Sequence, residues 1–94
     1  MKITIEELDN IITKISKGDL EIDSIECKES VIKIEHVHNF VCFLYRNPDE
    51  LEISNSDIKI IIKPVKIFYT KNIYKPDTIM VYDKNNNCII LHII

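Results

Sequence analysis

The sequence predicts an α+β fold, with one N-terminal helix packed on a mainly antiparallel sheet or small barrel of five to seven short strands. Apolar residues recur at helical spacing only in residues 1–18, whereas from residue 19 onward they alternate with polar residues or form short β-branched runs. Parallel strands would need helical crossovers, and the sequence offers none after the first helix. We expect residues 1–94 to form a single domain, because a chain of this length holds only one core.

The N-terminal segment carries complete signals for a helix. Thr4 and Glu7 have the T-x-x-E spacing of a capping box, and Gly18 suits the left-handed residue that follows a helix. Ile3 and Leu8 are spaced for a hydrophobic staple across the first turn. The apolar stripe of this helix comprises Ile5, Leu8, Ile11, Ile12 and Ile15. A helix with one such stripe is stable only when it packs, and the sheet is the available partner.

The rest of the chain predicts short strands separated by turns. Residues 31–45 are too long for one ordinary strand, so we expect two strands that meet near residues 36–39. The run 58–69 contains Pro64, which cannot donate to a β-ladder, so this run is predicted to be an edge strand or a strand bulged at the proline. Residues 78–94 form two apolar runs around a polar connection, which predicts a closing hairpin.

Composition indicates the origin and the compartment of the protein. Isoleucine occurs 21 times, alanine is absent, and 11 of the 12 basic residues are lysine, a bias expected from an AT-rich genome. No apolar run has the roughly 18 residues that cross a bilayer, and the N-terminus lacks the apolar segment of a signal peptide. We therefore expect an intracellular protein without membrane contact, in the cytoplasm or, if the source is viral, in the host-cell cytoplasm.

The sequence offers little for catalysis. Its single glycine, Gly18, is assigned to the helix cap, so there is no phosphate-binding loop, dinucleotide fingerprint or nucleophile elbow. The three cysteines are odd in number and show no paired spacing, which argues against a disulfide framework or a zinc knuckle. Cys42 and Cys88 lie in apolar strands, where buried, unreactive thiols are expected. We expect a protein that is not an enzyme and uses no cofactor.

Acidic residues are concentrated in the first part of the chain. Residues 1–55 carry a net charge of −6 and residues 56–94 a net charge of +3. In the stretch DLEID, residues 19–23, carboxylates alternate with apolar residues, which predicts a strand with one buried and one acidic face. Such a face can bind the basic groove of a partner protein, or it can simply be solvated. The candidate partner-binding residues are Asp19, Glu21, Asp23 and Glu26.

A second function class follows from the lysine-rich segment 59–75. Basic residues alternate there with aromatic ones, as on surfaces that bind phosphates and stack nucleic-acid bases. The candidate nucleic-acid-binding residues are Lys59, Lys63, Lys66, Tyr69 and Lys71. Lysines on an edge strand also prevent association between sheets, and arginine is nearly absent, so this segment supports only an alternative function.

His36 and His38 suggest a further alternative, a metal site. Residues at positions i and i+2 of a strand face the same side and can share one ion, which His92 or a cysteine would complete. The spacing is not specific, because two histidines in a polar bend explain the same sequence. The alternative hypothesis is therefore a nucleic-acid-binding or metal-binding module.

Both faces of the C-terminal strand are apolar, and one helix covers only part of one sheet face. We expect its last residues, Ile93 and Ile94, to be covered, so the sheet must close into a barrel or a two-layer sandwich, or a second copy must cover it in a homodimer. Each arrangement describes a binding module. The leading hypothesis is a small non-enzymatic protein-interaction module that acts through the acidic face. By size, charge and codon bias, an inhibitor or neutralising partner from a phage, virus or mobile element would fit.

Overall fold

A computed structural model describes residues 1–27, 33–35, 40–74 and 76–94. One helix precedes eight strands in these residues, and the predicted α+β class is confirmed. The elements are α1 (Ile5–Ser16), β1 (Ile22–Cys27), β2 (Lys33–Glu35), β3 (Val41–Tyr45), β4 (Glu50–Ser54), β5 (Lys59–Ile62), β6 (Lys66–Thr70), β7 (Asp77–Tyr82) and β8 (Cys88–Ile93). In this described part of the chain, no helix has the length and apolar character needed to cross a membrane.

The strands form two antiparallel sheets. The first has the order β2-β1-β8-β7-β6 and the second has the order β3-β4-β5. The predicted C-terminal hairpin is confirmed, because β7 and β8 pair in register from Asp77 opposite Ile93 to Tyr82 opposite Cys88. β8 also pairs with β1, so the last strand of the chain lies at the centre of the five-stranded sheet.

Pro64 separates the two sheets. The sequence predicts one edge strand or a bulged strand for the run 58–69, but this run divides into β5 and β6, with Pro64 between them. The two strands belong to different sheets, and each lies at a sheet edge. The physical reason is that proline has no N–H to donate and restricts the residue before it, so the ladder ends there and the chain passes to the other sheet. Within the described residues, the run 58–69 therefore contributes one strand to each sheet.

The predicted signals at the helix ends are confirmed in atomic detail. The Thr4 hydroxyl accepts a hydrogen bond from the Glu7 N–H at 3.1 Å, and the Glu7 carboxylate accepts one from the Thr4 N–H at 3.2 Å. At the other end, Gly18 has a φ of +82°, and its N–H donates to the Ile15 carbonyl at 3.1 Å. The next N–H, of Asp19, donates to the Lys14 carbonyl at 2.9 Å and completes a Schellman motif.

A single apolar core joins the helix to both sheets. Leu8 and Ile12 of α1 are buried, and so are side chains from one face of each sheet. We call these buried sides the inner faces. Their fully buried members, besides Leu8, are Ile25, Cys42, Leu51, Ile53, Ile79, Val81 and Leu91. Two separate sheets therefore enclose the core together with the helix.

The two faces of β8 differ in burial, although both are apolar in sequence. Ile89, Leu91 and Ile93 are buried on the inner face, whereas Ile90 and His92 are only partly buried. Ile94, which the sequence predicts to be covered together with Ile93, has 66% of its surface exposed. It follows Ile93, which points into the core, so alternation directs the Ile94 side chain to the outer side, as it does for Ile90 and His92.

Substitution of the two faces of β8 tests this asymmetry. Ile93→Asp places a carboxylate in the core, and we expect it to lower the free energy of unfolding by about 3 kcal/mol or more. Ile90→Asp places the same group on the partly solvated side, and we expect a loss of only about 1 kcal/mol. Urea unfolding followed by circular dichroism measures both values. Equal losses would contradict the assignment of inner and outer faces.

A second test concerns the helix cap. Thr4→Ala removes the hydroxyl that accepts from the Glu7 N–H, and we expect a loss of about 1 kcal/mol in unfolding free energy. Thr13→Ala is the matched control, because its exposed hydroxyl bonds only the Asp9 carbonyl within the helix. Since alanine has the higher helix propensity, this control should be neutral or slightly stabilising. A Thr4→Ala protein as stable as the control would show that the capping box contributes nothing.

Candidate interaction surface

The outer side of the three-stranded sheet exposes several large apolar side chains. Alternate residues of β3, β4 and β5 point away from the core, while their neighbours Cys42, Leu51, Ile53 and Ile62 are buried. We name this outer side the apolar face. It consists of Val41, Phe43, Tyr45, Glu50, Glu52, Ser54, Lys59 and Ile61.

The strand register brings the apolar side chains together. Phe43 lies opposite Glu52, which in turn lies opposite Ile61, so the two apolar residues flank one carboxylate. Val41 and Tyr45 occupy the same side of β3 as Phe43, one on either side of it. The Phe43 and Tyr45 rings are neighbours, with centroids 6.2 Å apart. A continuous apolar row therefore runs along β3.

These large side chains are about half exposed. The exposed fractions are 46% for Val41, 48% for Phe43, 51% for Tyr45 and 50% for Ile61. Single exposed apolar residues are ordinary on protein surfaces, but several adjacent ones on one sheet face mark an interaction site more often. These exposed apolar side chains make the face a candidate contact surface.

Glu52 forms a closed polar network at the centre of the face. One of its carboxylate oxygens lies 3.0 Å from Lys59 Nζ, and the other accepts a hydrogen bond from the Tyr45 hydroxyl at 3.1 Å. The Lys59 hydrogen bond is the main cause that lowers the pKa of Glu52, and Glu52 in turn raises the pKa of both Lys59 and Tyr45. At neutral pH the centre therefore holds one ion pair with no net charge.

The helix covers part of the outer edge of β3. The Ser16 hydroxyl of α1 donates to the Cys42 carbonyl at 3.2 Å. A helix that covers a strand edge protects it from pairing with an added strand. At this position a partner would have to contact the face of the sheet and not its edge.

The predicted acidic row has a different geometry from the one expected. Asp19, Glu21 and Asp23 are all exposed, but only Asp23 lies within β1. Asp19 belongs to the helix C-terminal motif, and the register of β1 against β8 shifts between Ile22 and Ser24. The three carboxylates therefore do not alternate along one regular strand, because the helix cap and the bulge interrupt the period. Their role in partner binding stays a prediction.

Glu26, the fourth acidic candidate, lies apart from the other three. It is partly buried on the outer side of the five-stranded sheet, and its carboxylate lies 3.6 Å from His92 Nε2. The hydroxyl of Thr78 lies 3.5 Å from His92 Nδ1 on the same side. Glu26 thus has an intramolecular partner, and its assignment to partner binding also remains untested.

The structure does not gather the nucleic-acid candidates on one surface. Lys59 belongs to the apolar face, whereas Lys66 lies in the other sheet, with its Nζ 5.4 Å from the centroid of the Tyr82 ring. Tyr69 is an odd number of residues from Lys66 on β6 and faces the opposite side. Lys63 and Lys71 are exposed beyond the strand ends. Nucleic-acid binding stays a prediction, and Lys75 lies outside the described residues.

The metal hypothesis also stays a prediction, because His36 and His38 lie outside the described residues. Within the residues that the structure describes, no three His, Cys, Asp or Glu side chains are arranged to hold a metal ion. Cys42 is buried as expected, and desolvation raises its pKa to about 12. Its thiol therefore remains protonated at neutral pH and is a poor ligand or nucleophile.

A concave groove lies between α1 and the five-stranded sheet. Its volume is about 370 Å³, and its lining includes Ile3, Ile11, Leu20, Tyr69 and Asp77. The Tyr69 hydroxyl donates to Asp77, whose other carboxylate oxygen accepts from the Asn72 N–H at 3.2 Å. The Asp77 hydrogen bond raises the pKa of Tyr69 to about 12, while the Tyr69 hydrogen bond lowers the pKa of Asp77. These two groups satisfy each other, so neither is poised for acid–base chemistry at neutral pH.

Comparison with known proteins gave no match to a family model, to a curated protein or to a solved structure. The assignment of a site therefore depends on the geometry of this chain.

The sequence analysis did not identify Val41, Phe43 and Tyr45 as candidate site residues. The available signal was that both parities of residues 41–45 are apolar, the same pattern that drew attention to β8.

The Tyr69–Asp77 hydrogen bond predicts a late tyrosine titration. Since the pKa of Tyr69 is raised above that of an unfolded tyrosine, the bond stabilises the fold fully below about pH 10, and this contribution disappears as pH rises through about 12. Tyrosinate absorbance should show a component near pH 12 that Tyr69→Phe removes. Tyr74→Phe is the control, because Tyr74 is 95% exposed. Loss of the late component in the control instead would contradict the assignment.

Proposed function

We propose that this protein is a non-enzymatic protein-interaction module and that the apolar face is its contact surface. The observation that carries the proposal is the apolar row of Val41, Phe43 and Tyr45 along β3, with Ile61 on the other side of Glu52, each about half exposed. Water contact with such an area is unfavourable, by roughly 25 cal/mol for each Å² that a partner could cover. Covering this face would therefore supply free energy for binding.

The chemistry of the face resembles the core of a protein interface. Interface cores are rich in aromatic and aliphatic residues and poor in unpaired charges. Phe43 and Tyr45 provide two adjacent rings, and the Glu52–Lys59 pair keeps the centre neutral. A partner that covers this pair would not strand a lone charge in a dry interface, which would be costly.

The shape of the face favours a protein partner over a small molecule. Small ligands are usually held in concave sites that surround most of their surface. The apolar face is one side of a three-stranded sheet, and its exposed side chains project from it. A second protein surface can cover such side chains together, with Phe43 and Tyr45 as anchors.

The exposed carboxylates fit a secondary role in this proposal. Asp19, Glu21 and Asp23 would attract a basic region of a partner surface and speed its association, which is the usual effect of charges outside the dry centre of an interface. The class of inhibitor or neutralising partner from a phage, virus or mobile element remains part of the proposal. It is supported by chain size, net charge and codon bias alone.

Photo-crosslinking from the face tests the proposal for a protein partner of any identity. A photoreactive phenylalanine analogue replaces Phe43, and the protein is irradiated in the cells that naturally produce it. The same analogue at Ile73, which is 90% exposed in a loop away from β3–β5, is the matched control. We expect protein adducts from position 43 that are absent from position 73.

A companion variant shows whether the adducts depend on the face. Ile61→Lys adds a charge on the other side of Glu52 and should reduce crosslinking from position 43 by about tenfold, the effect of about 1.4 kcal/mol. The fold should persist, because Ile61 is half exposed. Equal labelling from positions 43 and 73, or no protein adduct from position 43, would overturn the proposal.

A further inference from the structure

We infer that the partner of the apolar face is a second copy of this chain, related by a two-fold axis that lies in the interface and crosses the strands near Glu52. This inference rests on the proposed function, because it names the occupant of the same surface. The supporting observation is that Glu50 and Lys59 occupy backbone positions at opposite ends of the face, with the Lys59 side chain reaching inward to Glu52.

The acidic end and the basic end are defined by strand register. Glu50 begins β4 and lies opposite Tyr45, whereas Lys59 begins β5 and lies opposite Ser54, the last residue of β4. Four residues therefore separate the levels of Glu50 and Lys59 along the strands, a distance of about 13 Å. Glu52 lies midway between the two levels.

A two-fold rotation about an axis across the strands reverses the strand direction of the second copy. Glu50 of each copy then lies at the same level along the strands as Lys59 of the other copy. This opposite-charged pair occurs twice, as two-fold symmetry requires. The apolar row centred on Phe43 meets its equivalent in the same operation. An axis along the strands would instead place Glu50 at the level of Glu50 and Lys59 at the level of Lys59. Charge complementarity therefore selects the crossing axis.

Lys59 is suited to serve both copies. Its ammonium group contacts Glu52 at 3.0 Å, yet 63% of its side chain is exposed. An ammonium group has three donors, so a bond to Glu52 leaves donors for a carboxylate of the other copy. Glu50 is partly buried on the same face and contributes to the field that raises the pKa of both Tyr45 and Lys59.

The size of the face sets the strength of this association. Three strands spaced about 4.8 Å apart, each about five residues long, give a footprint of roughly 15 Å by 17 Å. This footprint is smaller than the ~800 Å² that each partner buries in an interface of standard size. We therefore expect a dimer that dissociates in the micromolar to millimolar range of concentration.

A charge-swap experiment tests the occupant and the axis together. Sedimentation equilibrium measures the dimer dissociation constant of the wild-type chain, of Glu50→Lys and of Lys59→Glu. Each variant alone places two like-charged pairs in the interface and should weaken the dimer at least about tenfold. An equimolar mixture of the two variants restores two opposite-charged pairs and should bind at least about tenfold more tightly than either variant alone. Its affinity should stay below that of wild type, because Lys59→Glu also removes the ion pair with Glu52.

Two controls separate this inference from general effects of charge and stability. Lys84→Glu makes the same charge change as Lys59→Glu at an exposed position outside the face, and it should not change the dissociation constant. Thermal unfolding of each variant confirms that the monomer is folded at the temperature of the measurement. A wild-type chain that remains monomeric at millimolar concentration would overturn the inference.

The remaining outcomes distinguish the inference from the proposed function. Failure of the variant mixture to recover affinity would exclude the crossing axis and overturn the inference as stated. A photo-crosslink from position 43 to a different protein, together with a chain that is monomeric in solution, would support the interaction module. The same result would overturn the inference that the partner is a second copy. The chain has a mass of 11.0 kDa, and an adduct of twice this mass would support both the interaction module and the second copy as its partner.

Discussion

Burial of the inner face of β8 is the interaction on which the rest of the structure depends. β8 pairs with β1 on one side and β7 on the other, and its Leu91 lies between Ile25 and Ile79, all three fully buried. The pairing joins segments from opposite ends of the chain, so the central sheet cannot form from local contacts alone. The helix and the three-stranded sheet then complete the core that this strand begins.

The apolar face is a consequence of how one helix and two sheets share a single core. The twelve-residue helix α1 packs with the inner faces, and Leu8 and Ile12 are its buried residues. In the three-stranded sheet the inward positions are filled by Cys42, Leu51 and Ile53, which leaves the alternate positions to solvent. An apolar sequence at both parities of β3 thus stabilises the fold on one side and exposes apolar surface on the other.

The outer sides of the two sheets differ in chemistry. The five-stranded sheet presents a histidine beside Glu26 and Thr78, and it places Lys66 against the Tyr82 ring. The three-stranded sheet presents several half-exposed apolar residues around one neutral ion pair. Within the strands, the large apolar side chains on the outer side of the five-stranded sheet are partly buried, whereas those on the outer side of the three-stranded sheet are about half exposed. This contrast favours the apolar face as the proposed contact surface.

The sequence by itself determined the elements whose causes are local. Thr4, Glu7 and Gly18 act on the backbone within a few residues, and the hairpin of residues 78–94 follows from alternation around a polar turn. The limit of such reasoning is visible at Asp23, where a register shift against β8 interrupts the predicted alternation of the acidic row.

Only the tertiary structure decided which apolar parity is buried and which remains exposed. Phe43 and Cys42 are apolar neighbours in one strand, and no local rule distinguishes them, because the choice depends on which side the helix and the second sheet occupy. Alternation specifies two faces, and long-range packing assigns one of them to the core.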